Sequence, residues 1–310
     1  MTSVSRDAPV VSICTGETKE KALEAALESA GFAAALAGAS KSTLDLAIVV
    51  KIATAGPRRA GTEAELVAAL VRKLFDANCR NVRVIARGYR GESIEASARR
   101  GHSDVTPADA ATETVLRDLG GAVGRCRVSR LWAEADFRIS FAKNRTDSMD
   151  FFAATLANTR GCIVGPLPPA IDEREAVVAL AKKVPVHFAL LDAWRSADAS
   201  MGAQEPNRET CTVFASRDAF ALDWTAAEKM GLDPALSFLM QAAMRRFGAM
   251  RIKRRGNLTE WEPWVNVHPL GLAFANLVRR HTGLWRQLDS NPPAFRKRAP
   301  SRASLRRRLA

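Results

Sequence analysis

The chain has 310 residues, 47% hydrophobic and 25% charged, with a mean hydropathy of -0.11. That composition excludes a disordered, collagenous or low-complexity protein, and the length suits one or two domains with a substantial core. The net charge of +13 is local: residues 245–310 hold 16 Lys and Arg against Glu260, Glu262 and Asp289, so residues 1–244 carry as many acids as bases.

Short β-branched runs alternate with Ala/Leu/Glu-rich amphipathic stretches. Ala8–Cys14 reads as a strand and Lys19–Leu36 as a helix with a break at Gly31. Leu44–Val50 is a continuous apolar run, as expected of a strand covered on both faces. Thr62–Asp76 reads as a helix opened by the capping box Thr62-Glu63-Ala64-Glu65, with Leu66, Leu70 and Leu74 on one stripe. Asn81–Ala86 is the next strand, and Ala108–Leu119 the next helix. Strands follow at Asp136–Ala142, Val186–Leu191 and Cys211–Ala215, then helices at Asp218–Met230 and Pro234–Phe247. Alternation of this kind predicts an α/β fold: a mainly parallel sheet with helices on both faces, plus a basic C-terminal extension. The expected division is an α/β domain over 1–247 and an extension over 248–310.

The five cysteines (Cys14, Cys79, Cys126, Cys162, Cys211) are far apart and form no C-x-x-C pair. Zinc ribbons and ferredoxin-type iron–sulfur clusters are therefore not expected, and reduced thiols fit a cytoplasmic protein. The N-terminus lacks a basic region followed by a long apolar run. The longest run of apolar and small residues, Ala30–Ala39, falls short of the roughly 20 needed to cross a bilayer. G-x-G-x-x-G and G-x-x-x-x-G-K-[ST] are absent, so neither a classical NAD site nor a P-loop nucleotide site is expected. H-E-x-x-H and G-x-S-x-G are absent too.

What remains is the carboxyl edge of the sheet, where α/β proteins bind ligands. Lys51 follows LAIVV, Lys143 follows RISFA, Asp192 follows HFALL, and Arg87-Gly88 follows NVRVIA. Two lysines and an aspartate on one edge suit a carboxylate or phosphate, with the acid free for a proton, hydroxyl or metal. Charge is also what ordinary strand ends carry at a surface. Asp218 and Gly231 have cap roles at the two ends of their helix. Asp223 does not: it interrupts an apolar helical stretch and needs a partner or a function. His187, inside a strand, reads as a hydrogen-bonded core residue.

The segment VFASRDAFALDWTAAEKMGLDP resembles the closing motif of the domain of unknown function 362 family, with Asp218, Asp223, Met230, Gly231, Asp233 and Pro234 at the matching positions. Val49-Val50-Lys51 is similar to the family's "v-i-K-p-N" strand end. Ala135-Asp136 through Lys143 is similar to its middle motif, Asn158 and Gly161 to its "K-N-x-x-G", and Leu191-Asp192 to its "i-v-D". The resemblance spans roughly residues 45–248. Three positions depart from it: Ile52-Ala53 replaces Pro-Asn, the His after the middle lysine is missing, and Ala157 stands where a lysine is expected. The resemblance implies an α/β fold and a ligand site at Lys51, Lys143, Asn158, Gly161, Asp192, Asp218 and Asp223. The expected roles are ligand binding by Lys51, Lys143, Asn158, Gly161 and Asp218. Asp192 and Asp223 are the candidate catalytic acids or metal ligands.

In the extension, Leu270–Leu288 places Phe274, Leu277, Val278, His281, Leu284, Trp285 and Leu288 on one helical stripe flanked by Arg279, Arg280 and Arg286. The stripe can dock on the protein's own body, lie on an anionic membrane surface through Trp285, or offer its arginines to nucleic acid or an acidic partner. The sequence therefore supports two functional classes. One is an enzyme or enzyme-like protein holding a small anionic ligand. The other is a non-catalytic accessory protein acting through its basic tail.

Overall fold

The computed structural model describes residues 8–39, 41–54, 61–88, 98–147, 150–167, 171–198, 206–262 and 264. Strand β1 (Val10–Thr15) leads to helix α1 (Lys19–Ser29), capped by the Thr18 hydroxyl accepting from Lys21 N. Gly31, at φ 71°, makes the left-handed break before α2 (Phe32–Ala37), a conformation that costs a residue with a side chain. Strand β2 (Ala47–Ile52) includes Lys51 rather than ending before it. Helix α3 (Ala64–Asp76) buries Leu66, Leu70 and Leu74 together with Val67 and Val71. The capping box is not formed. Thr62 Oγ1 instead accepts from Ala53 N at 3.0 Å and donates to Phe141 O at 2.9 Å, which leaves Glu63 at the cap position.

Strand β3 (Asn81–Ala86) follows as expected, but Ala108–Leu119 is not a helix. Strand β4 (Thr106–Asp109) pairs with β3, and β5 (Thr114–Asp118) pairs with β6 (Arg125–Ser129) through a turn containing Gly120 and Gly121. The stretch, with three Ala and two Leu, is recruited by neighbouring strands, and pairing overrides its helical propensity. Next come α4 (Arg130–Glu134), β7 (Phe137–Asp147), β8 (Phe151–Ala153), α5 (Thr155–Thr159), a 3-10 turn at Arg160–Cys162, β9 (Ile163–Val164) and α6 (Glu173–Lys183). Strands β10 (Phe188–Ala197) and β11 (Arg208–Ser216) precede α7 (Ala219–Lys229). A 3-10 turn at Pro234–Leu236 then separates α7 from α8 (Phe238–Phe247), whose cap is Ser237.

The main sheet runs β12-β1-β11-β10-β7-β2-β3-β4, with β8 paired to β7, and β5-β6-β9 form a small antiparallel sheet. From β10 to β4 every neighbour on this path is parallel, so the expected mainly parallel α/β architecture is present. Helices α1 to α3 cover one face, where Phe32 packs edge-on against Phe188 at 4.8 Å in the main hydrophobic cluster. Helices α5 to α8 cover the other face. The fold also runs past residue 247: β12 (Lys253–Gly256) adds a parallel strand to β1, and the compact unit extends to Asn266. Lys229 Nζ ties this segment down by donating to Asn257 O at 3.0 Å and to Thr259 O, beneath the Trp261 ring. The stripe Leu270–Leu288 and its contacts Arg279, Arg280, Trp285 and Arg286 lie outside the described residues.

Candidate functional site

Side chains alternate between the faces of a strand, and the register pairs Lys51 with Ser140 and Lys143 with Asp192. Ser140 and Lys143 are three residues apart on β7 and so face opposite ways. The residues expected at one edge therefore form two clusters, back to back across the sheet.

On the α3 face, Lys143 Nζ lies 2.9 Å from Asp192 Oδ2 and 3.2 Å from Glu63 Oε1, all three buried. Asp192 also accepts from Glu63 N at 2.8 Å and Trp194 N at 3.0 Å. Glu63 is shared with Lys19 at 2.5 Å and Arg195 at 3.1 Å. Burial pushes the Glu63 carboxyl up, but Lys19, Lys143 and Arg195 outweigh it and hold Glu63 below the usual carboxylate range. Asp192 is raised, because burial dominates the pull of Lys143. With Glu65 also 3.3 Å from Lys19, three cations (Lys19, Lys143, Arg195) face three carboxylates (Glu63, Glu65, Asp192), so charge in this cluster is matched. Glu63 was hidden in the sequence by the apparent capping box, and Arg195 had no motif around it.

On the α5 face, Lys51 Nζ is 3% exposed as a residue and donates to Ile52 O at 2.7 Å and Asn158 Oδ1 at 3.1 Å. Asn158 is held in turn, its amide donating to Lys51 O at 2.8 Å and Ser140 Oγ at 3.1 Å. Gly161 leaves room for the ammonium: a Cβ there would stand 2.9 Å from Lys51 Cε and 3.2 Å from Nζ and would push the end of the lysine aside. Arg87 reaches the same turn, donating from Nη1 to Ile163 O at 2.7 Å and Gly161 O at 3.5 Å. Among the described residues, no carboxylate lies within ion-pair distance of Lys51 or Arg87. Burial lowers the Lys51 ammonium to about 8, with Arg87 adding to the effect, while burial pushes the Cys162 thiol beside it up to about 12.

Asp223 lies beneath this cluster. Its Oδ1 accepts from Thr155 N at 2.9 Å and Thr155 Oγ1 at 2.5 Å, and its Oδ2 accepts from Leu156 N at 2.8 Å. It anchors the start of α5, the helix that carries Asn158. Burial pushes its carboxyl to about 7 despite these hydrogen bonds. Asp218 caps α7, accepting from Ala221 N at 2.8 Å. Asp192 and Asp223 thus belong to opposite clusters, and no group of three His, Cys, Asp or Glu side chains placed to hold a metal is found among the described residues. His187 is hydrogen-bonded as expected, Nδ1 accepting from Arg138 N at 2.9 Å with the ring stacked on Phe137, but it is half-buried in a bend before β10 rather than inside a core strand.

Together these features define an α/β protein whose parallel sheet carries one charge-matched and one unmatched buried cluster. The chain belongs to the family described as a domain of unknown function (DUF362), which matches residues 46–228. Comparison with curated proteins gives no match. Among solved structures, the lactate racemase apoprotein from Thermoanaerobacterium thermosaccharolyticum is 15% identical, with 59% of this chain and 50% of that chain covered and a TM-score of 0.35. A protein from Thermotoga maritima is also 15% identical, with 57% and 51% covered and a TM-score of 0.32. The chain spans about half the length of each. No helix among the described residues is long and apolar enough to cross a membrane.

Proposed function

We propose that this chain binds a small anion, a carboxylate or phosphate, at the cluster of Lys51, Arg87, Asn158 and Gly161. The observation that carries the reading is a buried ammonium with neutral acceptors only and a guanidinium beside it. An unmatched buried charge is costly, and a bound anion would offset that cost. The matched Lys143–Asp192–Glu63 cluster offers no such vacancy of charge, so we assign it to holding β7, β10 and α3 in register. The test is thermal unfolding with inorganic phosphate and with small carboxylates. Wild type should rise in Tm, by about 2.7 kcal/mol of stability at 100 times Kd. Lys51→Met should lose the response and, without ligand, be as stable as wild type or more so. An unchanged response in the variant, or none in wild type, would sink the reading.

A second reading, also a proposal, concerns the basic segment. Lys253, Arg254 and Arg255 form an exposed strand, and more arginines follow in sequence. This favours a polyanion, nucleic acid or an anionic membrane surface, as partner of residues 248–310. Duplex DNA binding by the full chain should weaken with salt at a log–log slope of about −0.9 per phosphate contacted. A chain ending at Asn266 should bind less. Lost vesicle binding with retained DNA binding in Trp285→Ser would favour the membrane.

A further inference from the structure

Lys51 has a second property besides its charge. Its amine is a nucleophile held in place on the central strand β2, hydrogen-bonded to Ile52 O and Asn158 Oδ1. No carboxylate among the described residues pairs with it directly, and the more distant pull of Asp109 toward the ammonium form is outweighed by burial. Lysines that form imines are of this kind: desolvated, near another cation, and free of a carboxylate partner. Surface lysines in this chain differ; Lys21 and Lys73, for example, are paired with Glu17 and Glu24.

We propose that Lys51 condenses with the carbonyl group of a small 2-oxo acid, whose carboxylate is taken by Arg87. This rests on the anion-site reading and specifies its ligand. Arg87 spends Nη1 on Gly161 O and Ile163 O, and its other N–H groups have no acceptor among the described residues. A fork of donors of that kind matches a carboxylate. Arg160, lowered by burial and then by Arg87, lies close by, with its guanidinium paired to Glu173.

The step balances without an oxidant or reductant. The Nζ lone pair adds to the carbonyl carbon, a C–N bond forms, and the carbonyl oxygen takes a proton to give a carbinolamine. That hydroxyl leaves as water while nitrogen loses its second hydrogen to solvent, leaving a C=N bond. Asn158 Oδ1 accepts a hydrogen bond from the amine and takes no proton. The amine fraction needed is already substantial near neutrality, since burial lowers Lys51 to about 8.

The experiment treats the full chain with pyruvate or glyoxylate in the presence of borohydride, which reduces an imine to a stable secondary amine, and maps the adduct by peptide mass spectrometry. The expected result is a single dominant adduct on the peptide containing Lys51, suppressed by inorganic phosphate and absent in Lys51→Met. Arg87→Gln should lose the adduct with the 2-oxo acids while keeping one with acetone, which has no carboxylate. Modification spread evenly over surface lysines, or none at Lys51, overturns the proposal. If phosphate still raises the Tm of the same preparation, only the imine falls and the anion site stands. If phosphate has no effect either, both fall.

Discussion

Asp223 lies within an apolar helix, and both of its oxygens are engaged by the first turn of α5. In Asp223→Asn the amide can keep one acceptor, but its NH2 then meets the N–H of Leu156, leaving that donor unsatisfied. Urea unfolding at pH 8 should show a loss of about 1–3 kcal/mol. The pH dependence has a definite sign. The folded-state value is about 7 against an ordinary 3.8, so the folded protein binds more protons between those values. Its contribution to stability is complete below about 4 and is lost as pH rises through about 7. Asp223→Asn should lack that slope; an unchanged profile would remove Asp223 as its source. The sequence shows that Asp223 needs a partner but not which one, because Thr155 and Leu156 are 68 and 67 residues away. Asp218 and Gly231 were legible for the opposite reason: helix caps are local chemistry.

At the scale of elements, β7 carries both clusters, one on each face. Lys143→Met removes the ammonium shared by Asp192 and Glu63 and leaves Asp192 buried without its cation. Such a change costs about 3–5 kcal/mol, whereas replacing both members of a buried pair by apolar residues is often close to neutral. Lys143→Met combined with Asp192→Leu should therefore recover much of the loss in chemical denaturation. A double variant no more stable than the single would mean that the pair does more than satisfy itself. Lys51, Lys143 and Asp192 could be picked out as charges that follow apolar runs, but not as strand ends: β2 includes Lys51, and β7 and β10 run on past Lys143 and Asp192 to Asp147 and Ala197. Their division between two faces could not be read either, because it depends on register: Lys51 opposite Ser140, Lys143 opposite Asp192. Ala108–Leu119 failed for a related reason. Its Ala and Leu content favours helix locally, while β3 and β6 supply the pairing that makes it strand.

For the molecule as a whole, charge arithmetic places the basic excess after residue 244 but could not show that the first part of this segment belongs to the sheet. Ending the chain after Phe247 removes β12 and the carbonyls of Asn257 and Thr259 that hold Lys229. It also removes Trp264, whose N–H donates to Met230 O at 3.1 Å. That truncation should unfold at lower temperature than a chain ending at Asn266 and should form aggregates on size-exclusion chromatography, since β1 would become an open edge. Equal melting of the two would show β12 to be dispensable. The family match over residues 46–228 includes neither β1 nor β12.

The placement of β1 between β11 and β12 also bears on how the protein is made. Val10–Thr15 is synthesised well before both of its neighbours, which are encoded some 200 residues or more downstream. At about 5–20 residues per second, the strand waits on the order of 10–40 s before β11 exists. During that interval β2, α3 and β3 can already assemble from nearby sequence, while the buried strand VVSICT has both backbone edges unpaired. The nascent chain thus carries a sticky, unpaired segment throughout that interval, and yield in cells should respond to chaperone supply more than the finished protein's stability suggests.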